Sequence, residues 1–337
     1  MWRLVNRTPY AAERTWLRDH SGHHVWVVAV KATYVVRGDG RVCLADEQIP
    51  PLLAPEYRGD PGRSSLVYEV DLADAKPGTD IILNASAYAP GNKPQGEVRV
   101  GLRIGDLQKI LVVRGDRIWE PNLLKGVSPS APKPFSSLPI IYERAWGGLD
   151  TSSSNPRMHR MEGRNPVGCG FATSSALLVG RPVPNVAYPG DDALSHPAGF
   201  GAIASHWSPR RECWGTFDEA WARKRKPLLP LDYSPQALMC SPADQRPTGY
   251  LRGGERVRMV HMTPAGLLDF ELPKVDLRFQ TRFGSRRIEH DARLYTVVIE
   301  PDEARLLMTW HTALPCHQDA EALDETLISE AKRAHAS

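Results

Sequence analysis

The stretch "RNPVGCGF", Arg164 to Phe171, sets a cysteine between two glycines just ahead of an aromatic residue. Cys169 is therefore the first candidate for chemistry. A catalytic cysteine needs its thiol activated by a nearby imidazole or helix N-terminus, and a third group to orient the base. His196 or His206 could serve as base and Asp191 or Asp218 as orienting carboxylate, which would make the chain a cysteine-dependent hydrolase or amidase. No strong helix pattern follows Cys169, however, and these partners come from scattered positions that no spacing rule connects. The competing reading gives Gly168 and Gly170 the task of positive φ and close backbone approach, and makes Cys169 a small buried apolar residue. The sequence favours this second reading and assigns no catalytic residue.

His196, His206 and Cys213 are zinc-ligand types, but the paired spacings H-E-x-x-H and C-x-x-C are absent, so no metal and no cofactor is expected. His20, His23 and His24 lie close together in sequence, yet adjacent strand residues face opposite sides and cannot all share an ion. Neither phosphate-cradling glycine motif is present. The basic run Arg223 to Lys226 and the pair Arg286-Arg287 read as solvated charge in a chain whose net charge is only +3, so no nucleic-acid partner is expected.

The aromatic residues say more. Trp146, Trp207, Trp214 and Trp221 are four of the nine tryptophans and fall together in the middle of the chain. Trp and Arg dominate the energetics of protein interfaces. The candidate partner-binding set is accordingly Arg144, Trp146, Arg164, Asn165, His206, Trp207, Arg210, Trp214 and Trp221. The alternative is that these tryptophans pin long loops onto a scaffold.

That scaffold should be mainly β. Twenty-nine prolines among 337 residues disfavour a helical bundle. "HVWVVAVKATYVV", His24 to Val36, is β-branched and ends at the turn Gly38-Asp39-Gly40. Ser65–Asp71, Asp80–Tyr88, Glu97–Ile104 and Lys109–Arg114 repeat the pattern, with Gly105-Asp106 and Gly115-Asp116 as turns. Residues 1–145 therefore read as an antiparallel, sandwich-like unit. Residues 146–250 read as long ordered loops rich in Trp and Pro, with one short helix capped by Thr216. Residues 251–337 read as a second antiparallel unit, a β-meander over Glu255–His261, Leu267–Leu272, Val275–Gln280, Leu294–Ile299 and Arg305–Trp310. An amphipathic helix over Asp319–Ala334 closes it, since Leu323, Leu327, Ile328 and Ala331 share a helical face. Five widely spaced cysteines imply reduced thiols, and no signal peptide or membrane-length apolar run is seen, so the expected location is cytoplasmic with no membrane partner.

The segments "YERAWGGLD", "NPVGCGF", "VPNVAYP", "GFGAIASHWSPR", "GTFDEAW" and "YLRGGERV", in this order, with "SPADQ" and the late "TVVIEPDEARLLMTWH", resemble a type VI secretion accessory family. Its members are domain-of-unknown-function proteins typically encoded beside VgrG spike, PAAR tip and toxic effector genes. The stretch Leu231–Cys240 departs from the resemblance in carrying fewer aromatic residues. The resemblance implies a bacterial effector adaptor or chaperone that loads its client onto the VgrG/PAAR spike, without enzymatic activity. A structural component of the spike itself is the further alternative.

Overall fold

The structure, a computed structural model, describes residues 2–316 and 323–331. Among the described residues it is mainly β, with a single short α-helix, Glu219–Lys224. The β-branched run His24–Val36 forms the longest strand. It pairs antiparallel with Ala11–Arg18 on one side and Arg305–Cys316 on the other, and Val42–Leu44 folds back onto its end. Arg305–Cys316 pairs antiparallel with Arg293–Glu300, and this strand takes Asp80–Leu83 parallel at the edge. Six strands thus form one sheet, drawn from both ends of the sequence.

A five-stranded sheet follows the order Val186–Ala187, Leu107–Arg114, Glu97–Ile104, Arg256–Val260 and Leu267–Glu271. The expected turn at Gly105-Asp106 joins its central hairpin, in which Ile104 faces Leu107. Strands on both sides of positions 145 and 250 hydrogen-bond to one another in each large sheet. Val28, Val30, Ala32 and Met308 of the first sheet share one hydrophobic core with Val98, Val100, Leu102 and Met259 of the second. The turn Arg37–Arg41 comes so close to the second sheet that a Cβ on Gly40 would lie 2.1 Å from the Asp269 carbonyl oxygen. At φ +84 Gly40 is also in the region that favours glycine.

Two expectations need correction. Leu323–Glu330 is a strand, not part of a helix. It lies between Arg3–Asn6, to which it is parallel, and Leu277–Phe283, which continues to Arg286–Asp291 in a four-stranded sheet. Pairing on both sides outweighs the weak helical periodicity, and it buries Thr326 and Ile328 on one face. The rest of the expected helix, 319–322 and 332–334, lies outside the described residues. The short helix Glu219–Lys224 is capped by Asp218, whose carboxylate accepts from Trp221 N, while Thr216 bonds Asp232 instead.

The face of the six-stranded sheet turned away from the shared core carries a polar row that is largely buried. Lys31, Thr309, Thr296 and Asp80 stand opposite one another in register across four adjacent strands. Counter-ions from the segment that crosses this face close both ends of the row. Asp71 accepts from Lys31 Nζ at 2.8 Å and from Thr309 at 3.1 Å. Lys76 donates to Asp80 at 2.7 Å and to Thr296 at 3.1 Å. Asp80 also accepts the Cys240 and Ser241 amides and the Ser241 hydroxyl, the last at 2.6 Å. Burial alone would raise the Asp80 carboxyl, but Lys76 and these donors hold it at about 2. Asp80→Asn leaves Lys76 buried without its charge partner, and should cost about 3–5 kcal/mol in urea unfolding.

Two histidines, His290 half-buried and His311 buried, set an acid limit. His290, bonded to Thr281 and Thr312, and His311, bonded to the Ala73 carbonyl, are both depressed by burial to about 4, with Lys76 adding to the effect on His311. Between pH 6.5 and 4 the unfolded chain therefore binds more protons than the folded one, and stability falls as pH falls. The slope should approach about 1.4 kcal/mol per pH unit for each histidine, read from urea midpoints across that interval.

Candidate functional site

The loop-rich middle is tied to both large sheets by "CSPADQR", Cys240 to Arg246. Cys240 and Ser241 cap Asp80 of the six-stranded sheet. Gln245 donates to the Ile81 and Phe200 carbonyls at 2.7 and 2.8 Å. Asp244 takes Lys109 of the five-stranded sheet at 2.8 Å and the Tyr188 hydroxyl at 2.9 Å. Burial lowers the Lys109 ammonium, although Asp244 opposes the shift. One loop segment thus fixes the loops against two sheets.

On this base the single turn Arg211–Trp214 divides its residues between two hollows. Cys213 lines a cavity of about 300 Å3 whose apolar wall includes Tyr142, Ile203, Pro209 and Pro242. Arg211 and Trp214 line a wider, open hollow of about 590 Å3 together with His206 and Phe217. Phe217 is 53% exposed and meets Trp221 edge-on at 4.8 Å. Trp221 is held in turn by its indole N–H on the Leu228 carbonyl at 2.8 Å.

The structure distributes the candidate partner-binding residues unevenly. His206 and Trp214 meet in the open hollow, with Trp221 behind Phe217. Arg164 reaches the smaller cavity, stacks on Trp146 at 5.4 Å, and pairs with Glu162 at 2.7 Å. Arg144 bonds Asp116 and Asn185. Asn165, Trp207 and Arg210 are corrected to interior positions, because their side chains are buried and engaged. Asn165 donates to the Tyr142 and Trp146 carbonyls at 2.8 and 2.9 Å. Trp207 meets Tyr142 edge-on and donates to His206 Nε2 at 3.1 Å. Arg210 binds Glu69 and the Ala237 and Ile203 carbonyls, and it lines the cavity only as part of the wall. Tyr188, Phe217, Asp244 and Arg246 also line these hollows and are absent from the sequence-derived set. For Asp244 the available signal was the "SPADQ" segment itself, which Arg246 directly follows.

Cys169 belongs to a braced loop. Its amide donates to the Ala145 carbonyl at 3.0 Å, and it pairs with Trp146 in a two-residue parallel ladder. A Cβ on neighbouring Gly168 would stand 2.4 Å from Asn165 Nδ2, so the loop closes onto the buried asparagine only with glycine there. Burial pushes the Cys169 thiol up to about 11, away from the thiolate a nucleophile requires. Neither candidate base is bonded to it. His206 Nε2 is occupied by the Trp207 indole. His196 Nδ1 faces both Ser195 Oγ at 3.0 Å and Asp191 at 3.4 Å. A hydroxyl and a carboxylate on the same ring nitrogen cannot act as a relay, which needs one on each. The zinc candidates are also separated, with His196 and Cys213 on the smaller cavity and His206 on the wider hollow.

A family model described as "Uncharacterized protein conserved in bacteria (DUF2169)" matches residues 21–311. No curated protein and no solved structure matches the chain. In the folded protein at pH 7, a thiol-reactive probe should modify exposed Cys43 at least tenfold faster than Cys169, as read by peptide mass mapping over time.

Proposed function

The chain belongs to the bacterial DUF2169 family, and on that premise we propose that it is a non-enzymatic adaptor that holds a type VI secretion effector and helps load it onto the VgrG/PAAR spike. The ordered segments described above supply the resemblance to the secretion accessory family. The observation that carries the reading is the open hollow around Trp214 and Phe217. It offers aromatic surface to solvent on loops fastened to two sheets, an arrangement suited to a partner's apolar anchor.

Its charges favour an acidic rim on that partner. Glu212 is committed to Ser208 at 2.7 Å, Asp218 caps its helix, and Asp232 bonds Thr216. Arg211, exposed at the edge of the hollow, has no carboxylate partner among the described residues. A polar-rimmed contact of this kind releases its client more readily than an obligate apolar one. Loading before secretion places the adaptor in the cytoplasm.

The test is co-purification with effector and spike proteins encoded by neighbouring genes. Phe217→Ser and Trp214→Ala should weaken effector capture at least tenfold while leaving the circular dichroism spectrum unchanged. No capture of effector or VgrG at micromolar concentration removes the proposal. Recovery of the protein with the secreted spike would instead favour a structural role there.

A further inference from the structure

The cavity of about 300 Å3 carries two guanidinium groups whose hydrogen-bonding capacity is not used up. Asp244, the carboxylate on its wall, has both oxygens engaged, one by Lys109 and one by Tyr188. Tyr142 donates to the Gly201 carbonyl and Cys213 to that of Pro209. Arg210 is consumed by Glu69 and two carbonyls.

Arg246 differs from these. Its Nε and Nη2 donate to the Ser241 carbonyl at 3.0 and 2.8 Å, Nη2 also reaches Met239 O at 3.4 Å, and Nη1 meets Gln236 Oε1 at 3.1 Å. All four contacts are to neutral oxygens. The guanidinium is oriented, and its charge has no carboxylate partner among the described residues. Arg164 commits Nε and Nη2 to Glu162 and Ser195 O, which leaves Nη1 unbonded among the described residues. His196 also lines the cavity, with its Nδ1 facing Ser195 and Asp191. A ligand here must supply acceptors and negative charge, and must place apolar surface against Tyr142, Ile203, Pro209 and Pro242.

We infer that this cavity receives the C-terminal apolar residue of a client polypeptide, with the terminal carboxylate on Arg246 and Arg164. The volume is at the small end of ligand cavities, which run from roughly 300 to 1,000 Å3. A C-terminal apolar residue carries a carboxylate and an apolar side chain on one Cα, so a single residue meets both the guanidinium groups and the apolar wall. Capture of a terminal carboxylate by fixed donors is a recurrent mode of peptide recognition. The inference rests on the adaptor reading and specifies how one part of the client is held.

Fluorescence anisotropy with labelled hexapeptides ending in Leu or Phe tests it. The free-acid peptide should bind, and its C-terminal amide at least tenfold more weakly. Ala243→Trp, at an exposed position on the cavity wall outside the Asp80 and Lys109 bonds, should abolish binding with an unchanged melting temperature. Arg246→Gln should weaken the free acid to the level of the amide, and Arg246→Lys should restore part of the difference. Should the glutamine variant fail to fold, the Ala243→Trp result decides. Equal binding of acid and amide, equal binding of an amidated peptide with an internal Asp-Leu pair, or indifference to Ala243→Trp overturns the assignment. Capture of the intact effector without binding of the free-acid peptide also overturns it, and leaves the adaptor role standing. Binding of the peptide without capture of any effector retains the cavity and removes the adaptor role.

Discussion

The buried contact between Lys76 and Asp80 is the constraint on which the remaining architecture depends. Two opposite charges removed from water are tolerated only when each is fully engaged, and here each is. Lys76 reaches Thr296 as well as Asp80, and Asp80 takes two backbone amides and a hydroxyl from the loop that follows Met239. The sheet edge, the segment that crosses it and the loop-rich middle therefore meet at one carboxylate. Asp71 and Lys31 repeat the arrangement at the other end of the row with the charges exchanged between sheet and crossing segment. Such groups add little net stability over apolar substitutes, but they penalise any displacement of the loop that satisfies them.

This accounts for an extended region with little regular structure that is nevertheless held in place. Between residues 146 and 250 the ladders are two residues long and the only α-helix has six residues. Order comes from side chains bonding distant backbone: Gln245 to Ile81 and Phe200, Asn165 to Tyr142 and Trp146, Arg210 to Ala237 and Ile203. Binding surfaces built on such loops avoid part of the ordering cost that a mobile loop incurs on association.

Much of the scaffold was legible in the sequence because its signals were local. Glu97–Ile104 alternates buried and exposed residues and turns at Gly105-Asp106, and the observed strand has those bounds. Leu323–Glu330 was illegible because its few apolar residues fit either period, and its conformation is decided by two strands far away in sequence. The candidate site was legible as a region and only partly as residues. Trp207 and Trp214 look alike in sequence, yet one fills the core and the other lines an open hollow. Arg210 and Arg246 are likewise separated by what surrounds them: Glu69 neutralises the first, and carbonyl oxygens alone hold the second.

The pairing of His24–Val36 with Arg305–Cys316 carries a consequence for biosynthesis. In a nascent chain the valine-rich strand is synthesised long before the neighbour that covers its edge. Until then it has only Ala11–Arg18 and the short Val42–Leu44 as partners, and its other edge is open. A chain truncated upstream of Arg305 leaves His24–Val36 without its neighbour along that whole edge.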